Sequence, residues 1–159
     1  MNKVLSINQA IKITQNLRKT KKTVVLAGGC FDILHTGHIM FLEAAKKEGD
    51  ILILLLESDE STRKRKGEGR PINSQNKRIN ALSKLETVDY IVPLIGVTKD
   101  EEYDRLMVQI KPDIVAITKG DPETARRFKQ CGMIGAKLRL VINKIEGLST
   151  TVLINETKE

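Results

Sequence analysis

The sequence predicts an α/β protein with a Rossmann-like, open, doubly wound sheet of five parallel strands. Two observations carry this prediction. Five short apolar runs, rich in leucine or β-branched residues, alternate with helical patterns along the 159 residues. The runs also lack a regular polar–apolar alternation, which is typical of strands buried on both faces of a parallel sheet. A chain of this length is one domain of common size, so we expect residues 1–159 to form a single domain.

The first predicted element is an amphipathic helix in the N-terminal segment, residues 1–21. Apolar residues recur at helical spacing from Ile7 to Leu17, which predicts a helix over residues 7–19. Residues 22–159 follow this helix, and we expect them to form the α/β core.

The remaining elements alternate along that core. The apolar runs predict strands over residues 23–28, 51–57, 88–92, 113–117 and 138–142. The patterns between them predict helices over residues 37–48, 73–85, 99–110 and 122–131, with boundary signals at Gly49, Asn73, Pro112 and Gly132. In such a sheet, ligands bind beyond the carboxyl ends of the strands, where the strand order switches.

The end of the first strand carries the densest group of chemically useful residues. Gly28 and Gly29 close the strand, and His35 and His38 follow at the mouth of the next helix. A helix N-terminus exposes free N–H groups and the positive end of the helix dipole, which suits a phosphate. Two histidines three residues apart share one helical face. The pattern therefore predicts a site for a phosphate chain that gains charge as it reacts.

The run Gly29-Cys30-Phe31-Asp32, followed by His35-Thr36-Gly37-His38, resembles the signature of the HxGH nucleotidyltransferase superfamily, the cytidylyltransferase-like enzymes. The resemblance implies that the histidines hold nucleotide phosphates while a substrate phosphate attacks the α-phosphorus and pyrophosphate leaves. It implies catalytic roles for His35 and His38. It also implies nucleotide contacts from the rest of the motif, namely Gly28, Gly29, Cys30, Phe31, Asp32 and Gly37.

A basic segment follows the second predicted strand. Residues 58–70 combine basic side chains with glycines, which predicts a mobile loop that closes over a polyanion. The string from Lys66 to Asn73, followed by Arg78, is similar to one branch of the superfamily, the adenylyltransferases that make ADP-heptose from heptose 1-phosphate. In that branch the loop lysine and the helix arginine contact phosphates. The resemblance therefore implies catalytic roles for Lys66 and Arg78.

Two segments nearer the C-terminus extend the resemblance. Ser149, Thr150 and Thr151 precede a last helical pattern, which their hydroxyls can cap. A matching Ile-Ser-Thr-Thr motif of the family implies that they also face the triphosphate. Asp121 is expected near the nucleotide, although the branch has Lys-Gly-Gly-Asp-Tyr where this chain has Thr118-Lys119-Gly120-Asp121-Pro122.

Composition narrows the classes of partner. The net charge is +7, but no nucleic-acid-binding motif accompanies it and only 3% of residues are aromatic, so we expect no nucleic-acid partner. The two cysteines, Cys30 and Cys131, form no CxxC motif and predict no disulfide framework. No signal-peptide pattern is present, and the apolar run from Ile51 to Leu56 is too short to span a bilayer. We therefore expect a cytoplasmic protein without a membrane partner.

The preferred interpretation is transfer of a nucleotidyl group from ATP to a sugar 1-phosphate, with heptose 1-phosphate favoured. The alternatives are a CTP-dependent glycerol-3-phosphate cytidylyltransferase, FAD synthesis from FMN, and a catalytically inactive nucleotide-binding module. We expect Mg²⁺ to arrive with the nucleotide, because it prefers phosphates and water to a protein cage. No resident metal is expected, since His35, His38 and Asp32 lack a further ligand at the spacing of a structural zinc site. The sequence does not decide between a monomer and a homodimer.

Overall fold

Five parallel strands form the centre of the computed structural model, which describes residues 2–143. They are β1 (Val24–Gly29), β2 (Ile51–Leu56), β3 (Tyr90–Pro93), β4 (Ile114–Lys119) and β5 (Lys137–Asn143). Their order is β3-β2-β1-β4-β5, so the direction of winding reverses between β1 and β4. This confirms the predicted Rossmann-like α/β fold. It also places a ligand crevice beyond the carboxyl ends of β1 and β4.

In the part of the chain that the structure describes, six helices surround the sheet, and its two faces are both covered. The helices are α1 (Ile7–Lys19), α2 (Thr36–Lys46), α3 (Asp59–Lys66), α4 (Gln75–Ser83), α5 (Asp100–Ile110) and α6 (Thr124–Ile134). Buried residues of α1, α5 and α6 pack on the face that carries Leu26 and Leu55. Those of α2 and α4 pack on the opposite face, which carries Ala27 and Leu54. Within residues 2–143, no helix is both long and apolar enough to cross a membrane.

The pairing of β1 with β2 explains why the sequence shows no alternation. Val24 lies opposite Ile51 and Gly29 lies opposite Leu56, with both strands parallel. Residues from Leu52 to Leu56 are all buried, since helices cover both faces of these inner strands. The expectation of burial on both faces is wrong for β5, which has no buried residue. That strand lies at the edge of the described sheet, where neighbours on one side are missing.

The basic segment after β2 is a helix where the sequence predicted a loop. Ser58 caps α3, and its Oγ accepts a hydrogen bond from the Ser61 N–H at 3.1 Å. Two acidic residues occupy the first turn and four basic residues occupy the last. Because that arrangement matches the helix dipole, the charges that suggested a mobile loop stabilise the helix instead. Apart from the cap Ser58, only residues 67–70 of the predicted loop lie outside a helix, and their closure over a polyanion stays a prediction.

Two helix boundaries also differ from the predicted ones. α4 is capped by Ser74, whose Oγ accepts from the Lys77 N–H at 3.4 Å, whereas the predicted cap was Asn73. α6 continues through Gly132 and ends before Gly135, whose φ of 72° is the left-handed conformation that glycine adopts freely. A glycine inside a helix therefore resembled a helix end in the sequence.

The segment before α1 extends the sheet, which the sequence did not predict. The Leu5 N–H donates to the Ile91 carbonyl, and the Ile91 N–H donates to the Lys3 carbonyl, both at 2.9 Å. Val4 thereby forms a parallel bridge with Ile91 on the outer side of β3. The predicted helix over residues 7–19 is confirmed, and Ser6 caps it through a hydrogen bond from the Gln9 N–H.

Candidate active site

A cleft of about 460 Å³ opens beyond the carboxyl ends of β1 and β4. Its floor is the end of β1, from Leu26 to Cys30, and one wall is β4 with the turn that follows it. Five predicted site residues line the cleft: Gly28, Gly29, Cys30, Lys66 and Asp121. The structure therefore assembles, from three separate segments, residues that are up to 93 positions apart in the chain.

The two histidines stack at the start of α2. Their ring centroids are 3.8 Å apart and their planes differ by 21°. His35 is the N-cap, and its Nδ1 accepts a hydrogen bond from the Gly37 N–H at 3.1 Å. Nδ1 of His38 accepts from the His35 N–H at 3.3 Å. Because both Nδ1 atoms act as acceptors, each neutral ring carries its proton on Nε2, which is then a donor.

The environment keeps His38 uncharged at neutral pH. Burial, followed by the neighbouring His35 and Lys66, lowers the pKa of His38 to about 4, while a backbone hydrogen bond with Ile33 acts in the raising direction. Burial also lowers the pKa of His35. The positive charge of Lys66 thus acts on His38. The pair therefore offers neutral N–H donors beside a fixed positive charge.

Asp32 lies beneath the cleft and connects two loops. Its carboxylate accepts hydrogen bonds from the backbone N–H groups of Ile72 and Asn73, both at 2.8 Å, and from Arg70 Nε at 3.2 Å. The amide of Asn73 in turn donates to the Asp32 carbonyl at 2.7 Å. The Asp32 side chain is fully buried. The structure thus gives this predicted nucleotide contact a positioning role in the motif loop.

Arg78 is also buried beneath the motif. Its Nη1 donates to the carbonyls of Cys30 at 2.8 Å and Glu57 at 2.9 Å, and its Nη2 donates to Asp59 at 2.7 Å. Its Nε donates to the Asn73 carbonyl at 3.1 Å. The guanidinium therefore ties the ends of β1 and β2 to α3 and α4. The phosphate contact implied by the resemblance stays a prediction for this residue.

The remaining motif residues shape the histidine pocket. Phe31 adopts a φ of 50°, and its ring centroid lies 5.2 Å from that of His38. Cys30 is buried, and its Sγ accepts a hydrogen bond from the Thr62 hydroxyl at 3.4 Å. Asp121 accepts from the Glu123 N–H at 2.8 Å and so forms the turn before α6. The predicted contacts Ser149, Thr150 and Thr151 lie outside the described residues.

The cleft residues missed from the sequence include Glu57, Tyr103 and Arg127. The signal for Glu57 was present, because it follows β2 directly and so lies at the ligand edge of the sheet. Tyr103 is part of the apolar face of α5, and nothing in the sequence shows that it approaches Gly28. A Cβ on Gly28 would lie 2.8 Å from the Tyr103 hydroxyl oxygen. Arg127 lies over the Tyr103 ring, with its Cζ 4.3 Å from the ring centroid.

Comparison with known proteins agrees with this fold. The cytidylyltransferase-like family model matches residues 26–156. The chain is 36% identical to the bifunctional protein HldE of Campylobacter fetus over 98% of its own length and 31% of that protein. It is 40% identical to the bifunctional protein HldE of Aliarcobacter butzleri over 93% of its own length and 29% of that protein. The chain therefore spans about a third of these relatives.

Solved structures show the same architecture. A lipopolysaccharide core biosynthesis protein from Thermoplasma volcanium superposes with a TM-score of 0.63 at 28% identity, over 77% of this chain and 97% of that one. A pantoate-β-alanine ligase from Francisella tularensis gives 0.64 at 17% identity over 98% of this chain and 76% of that one, which shows the fold alone. The chain belongs to the cytidylyltransferase-like family. The family match and the HldE relatives support a nucleotidyltransferase.

Proposed function

We propose that this protein transfers a nucleotidyl group from a nucleoside triphosphate, ATP in preference, to a sugar 1-phosphate such as heptose 1-phosphate, releasing pyrophosphate. The stacked pair of His35 and His38, which follows the cleft-lining residues Gly28 to Cys30 in the chain, is the observation that carries the proposal. The lipopolysaccharide core biosynthesis protein among the structural relatives supports a sugar acceptor.

The chemistry needs orientation and charge neutralisation rather than a covalent enzyme intermediate. An acceptor phosphate oxygen forms a bond to the α-phosphorus, and the bond from that phosphorus to the bridging oxygen breaks, so pyrophosphate leaves with the electron pair. Negative charge spreads over the phosphate oxygens as this happens. The neutral Nε2–H of His35 donates to those oxygens without a proton having to move, and that of His38 does so by exchanging the Ile33 carbonyl for a phosphate oxygen. Lys66 supplies positive charge.

Mg²⁺ fits this site as a companion of the nucleotide. Residues 2–143 contain no group of three or more His, Cys, Asp or Glu side chains arranged to hold a metal ion. Mg²⁺ binds readily through one or two carboxylates together with substrate phosphates and water, and it neutralises phosphate charge. Asp121 lines the cleft and is the carboxylate that we propose for such a contact.

A pyrophosphate-release assay tests the proposal. Four nucleoside triphosphates are each combined with heptose 1-phosphate, glycerol 3-phosphate and FMN. We expect turnover with ATP and heptose 1-phosphate. Turnover with CTP and glycerol 3-phosphate alone would favour the second candidate, which the sequence from Glu146 to Thr151 also fits. Release with no combination would contradict the enzymatic proposal.

Two substitutions of His38 test its role in the reaction. In His38→Asn, the amide oxygen can still accept from the His35 N–H, but the Nε2–H donor is lost. We expect kcat to fall by about 10²–10³-fold with a small change in KM for the nucleotide. His38→Gln places an amide N–H near the position of Nε2 and should recover part of the rate. Equal kcat in wild type and His38→Asn would refute the role.

A further inference from the structure

A smaller recess of about 90 Å³ lies beside the cleft and shares a wall with it. Five residues line both spaces: Glu57, Arg65, Tyr103, Glu123 and Arg127. The outer side of the recess comes from the turn after β3 and the start of α5, from Leu94 to Asp100. A molecule in the recess would therefore reach the phosphates in the cleft across the side chains of this shared wall.

One atom of the shared wall lacks a partner. Glu57 forms an ion pair with Arg65 through Oε1. Its Oε2 is buried and, among residues 2–143, has no hydrogen-bond partner. Buried carboxylate oxygens are almost always hydrogen-bonded, because leaving one unpaired costs the free energy of its lost hydration. Neither the fold nor the proposed phosphate chemistry accounts for this oxygen.

The surroundings of Glu57 indicate what kind of group would satisfy it. A carboxylate already neutralised by Arg65 accepts hydrogen bonds and repels further anions, so its natural partner is a hydroxyl or an N–H donor. Arg65 and Arg127 in the same wall attract phosphate oxygens. The Arg65 side chain is half exposed, so its rotation can open an approach to the carboxylate. Hydroxyls next to a phosphate are the chemistry of a phosphorylated polyol.

We propose that the recess is the acceptor subsite and that Glu57 Oε2 accepts a hydrogen bond from a hydroxyl group of a phosphorylated polyol. Arg127, held over the Tyr103 ring, contacts the acceptor phosphate. The proposal rests on the proposed nucleotidyl transfer and extends it by naming a residue that reads the acceptor. It makes Glu57 responsible for selecting a polyol phosphate over a phosphate with an apolar substituent.

Glycerol 3-phosphate and propyl phosphate are a matched pair of probes for this proposal, because they differ by two hydroxyl groups. Heptose 1-phosphate is the third probe. Dissociation constants are measured by calorimetry for the wild type, Glu57→Gln and the control Glu101→Gln, which removes an exposed carboxylate outside both cavities. We expect the wild type to prefer at least one polyol phosphate, and Glu57→Gln to reduce that preference about tenfold. Propyl phosphate should bind equally to all three proteins.

Three outcomes would each overturn the acceptor subsite. They are an unchanged preference for polyol phosphates in Glu57→Gln, an equal loss of affinity for all three probes, and the absence of any such preference in the wild type. Retained affinity for ATP shows that Glu57→Gln is folded. If Glu57→Gln loses that affinity, Glu57→Asp replaces it, because this variant withdraws the carboxylate by one methylene. Glu57→Asp is expected to show the same reduced preference for polyol phosphates. Turnover by Glu57→Gln with wild-type acceptor selectivity would contradict the acceptor subsite and agree with the proposed function. A Glu57-dependent preference without pyrophosphate release would agree with the subsite and contradict the proposed function.

Discussion

At the scale of single residues, hydrogen bonds to the backbone set the chemistry of the histidine pair. His35 accepts the Gly37 N–H and His38 accepts the His35 N–H, so the local turn determines which ring nitrogens are donors. Burial disfavours a positively charged His38 ring, and the neighbouring His35 and Lys66 add to the effect. A helix N-terminus acts in the same direction. The site therefore uses neutral histidines as fixed donors and leaves the positive charge to lysine.

The lowered pKa of His38 predicts a pH dependence of stability. The unfolded chain takes up a proton on this ring near pH 6.5, but the folded protein does so only near pH 4. The free energy of unfolding should therefore decrease as pH falls from 6.5 to 4, by up to about 3 kcal/mol. Urea unfolding across this range measures it. In His38→Asn the decrease should be smaller by most of that amount, and an unchanged slope would contradict the assignment.

At the scale of elements, charge order and capping decide what the basic segment becomes. The sequence showed glycines and a dense run of cations after β2, and a loop was the natural prediction. The structure shows that Ser58 and the acidic first turn start a helix there. The loop prediction was wrong because amino-acid composition does not contain the order of the charges along the helix dipole. The residues of the cap were themselves present in the sequence.

Loss of the Ser58 cap tests this account of α3. Ser58→Ala removes the acceptor of the Ser61 N–H and should lower the free energy of unfolding by about 1 kcal/mol. Hydrogen exchange should speed up at the first amides of α3 while those of α2 keep their wild-type rates. Ser58→Asp, which preserves an acceptor and adds a favourable charge at the N-terminus, should restore wild-type exchange. Unaltered exchange in Ser58→Ala would mean that the cap contributes nothing.

Gly49 and Gly132, which both resembled helix ends in the sequence, have opposite environments in the structure. A Cβ on Gly49 would lie 2.7 Å from Val25 Cγ2 and 3.1 Å from the Thr23 carbonyl oxygen, whereas one on Gly132 meets nothing within 4 Å. Gly49→Ala should therefore destabilise the protein by about 1–3 kcal/mol. Gly132→Ala, inside α6, should stabilise it by about 0.5–1 kcal/mol. Chemical denaturation of both variants checks the pair, and shifts of the same sign would contradict this.

At the scale of the whole molecule, the fold was more predictable than the site. Buried parallel strands force long apolar runs, and helices must alternate with them, so the sequence of β1, β2 and β4 leaves few other folds. The HxGH motif was visible because its residues are neighbours in the chain. Tyr103 and Arg127 reach the cleft only through tertiary packing, and no local sequence pattern predicts this. Glu57 could have been predicted, because it follows β2 directly.

The bridge between Val4 and Ile91 predicts a role for the first residues in protecting the sheet. These residues occupy the outer hydrogen-bonding edge of β3. Deletion of residues 2–5 should expose that edge and favour pairing between molecules. Light scattering during heating should then rise at a lower temperature than in the wild type. Indistinguishable scattering curves would show that the edge needs no cover.

The buried carboxylate of Asp32 has a consequence for local unfolding. It holds the N–H groups of Ile72 and Asn73, and it sits in the loop that leads to His35. Neither loop can open without leaving a buried charge unpaired, so both should open together as one cooperative unit. Amides at 72 and 73 would then share a single opening free energy with those around the histidines, and the whole rim of the cleft would be either formed or lost.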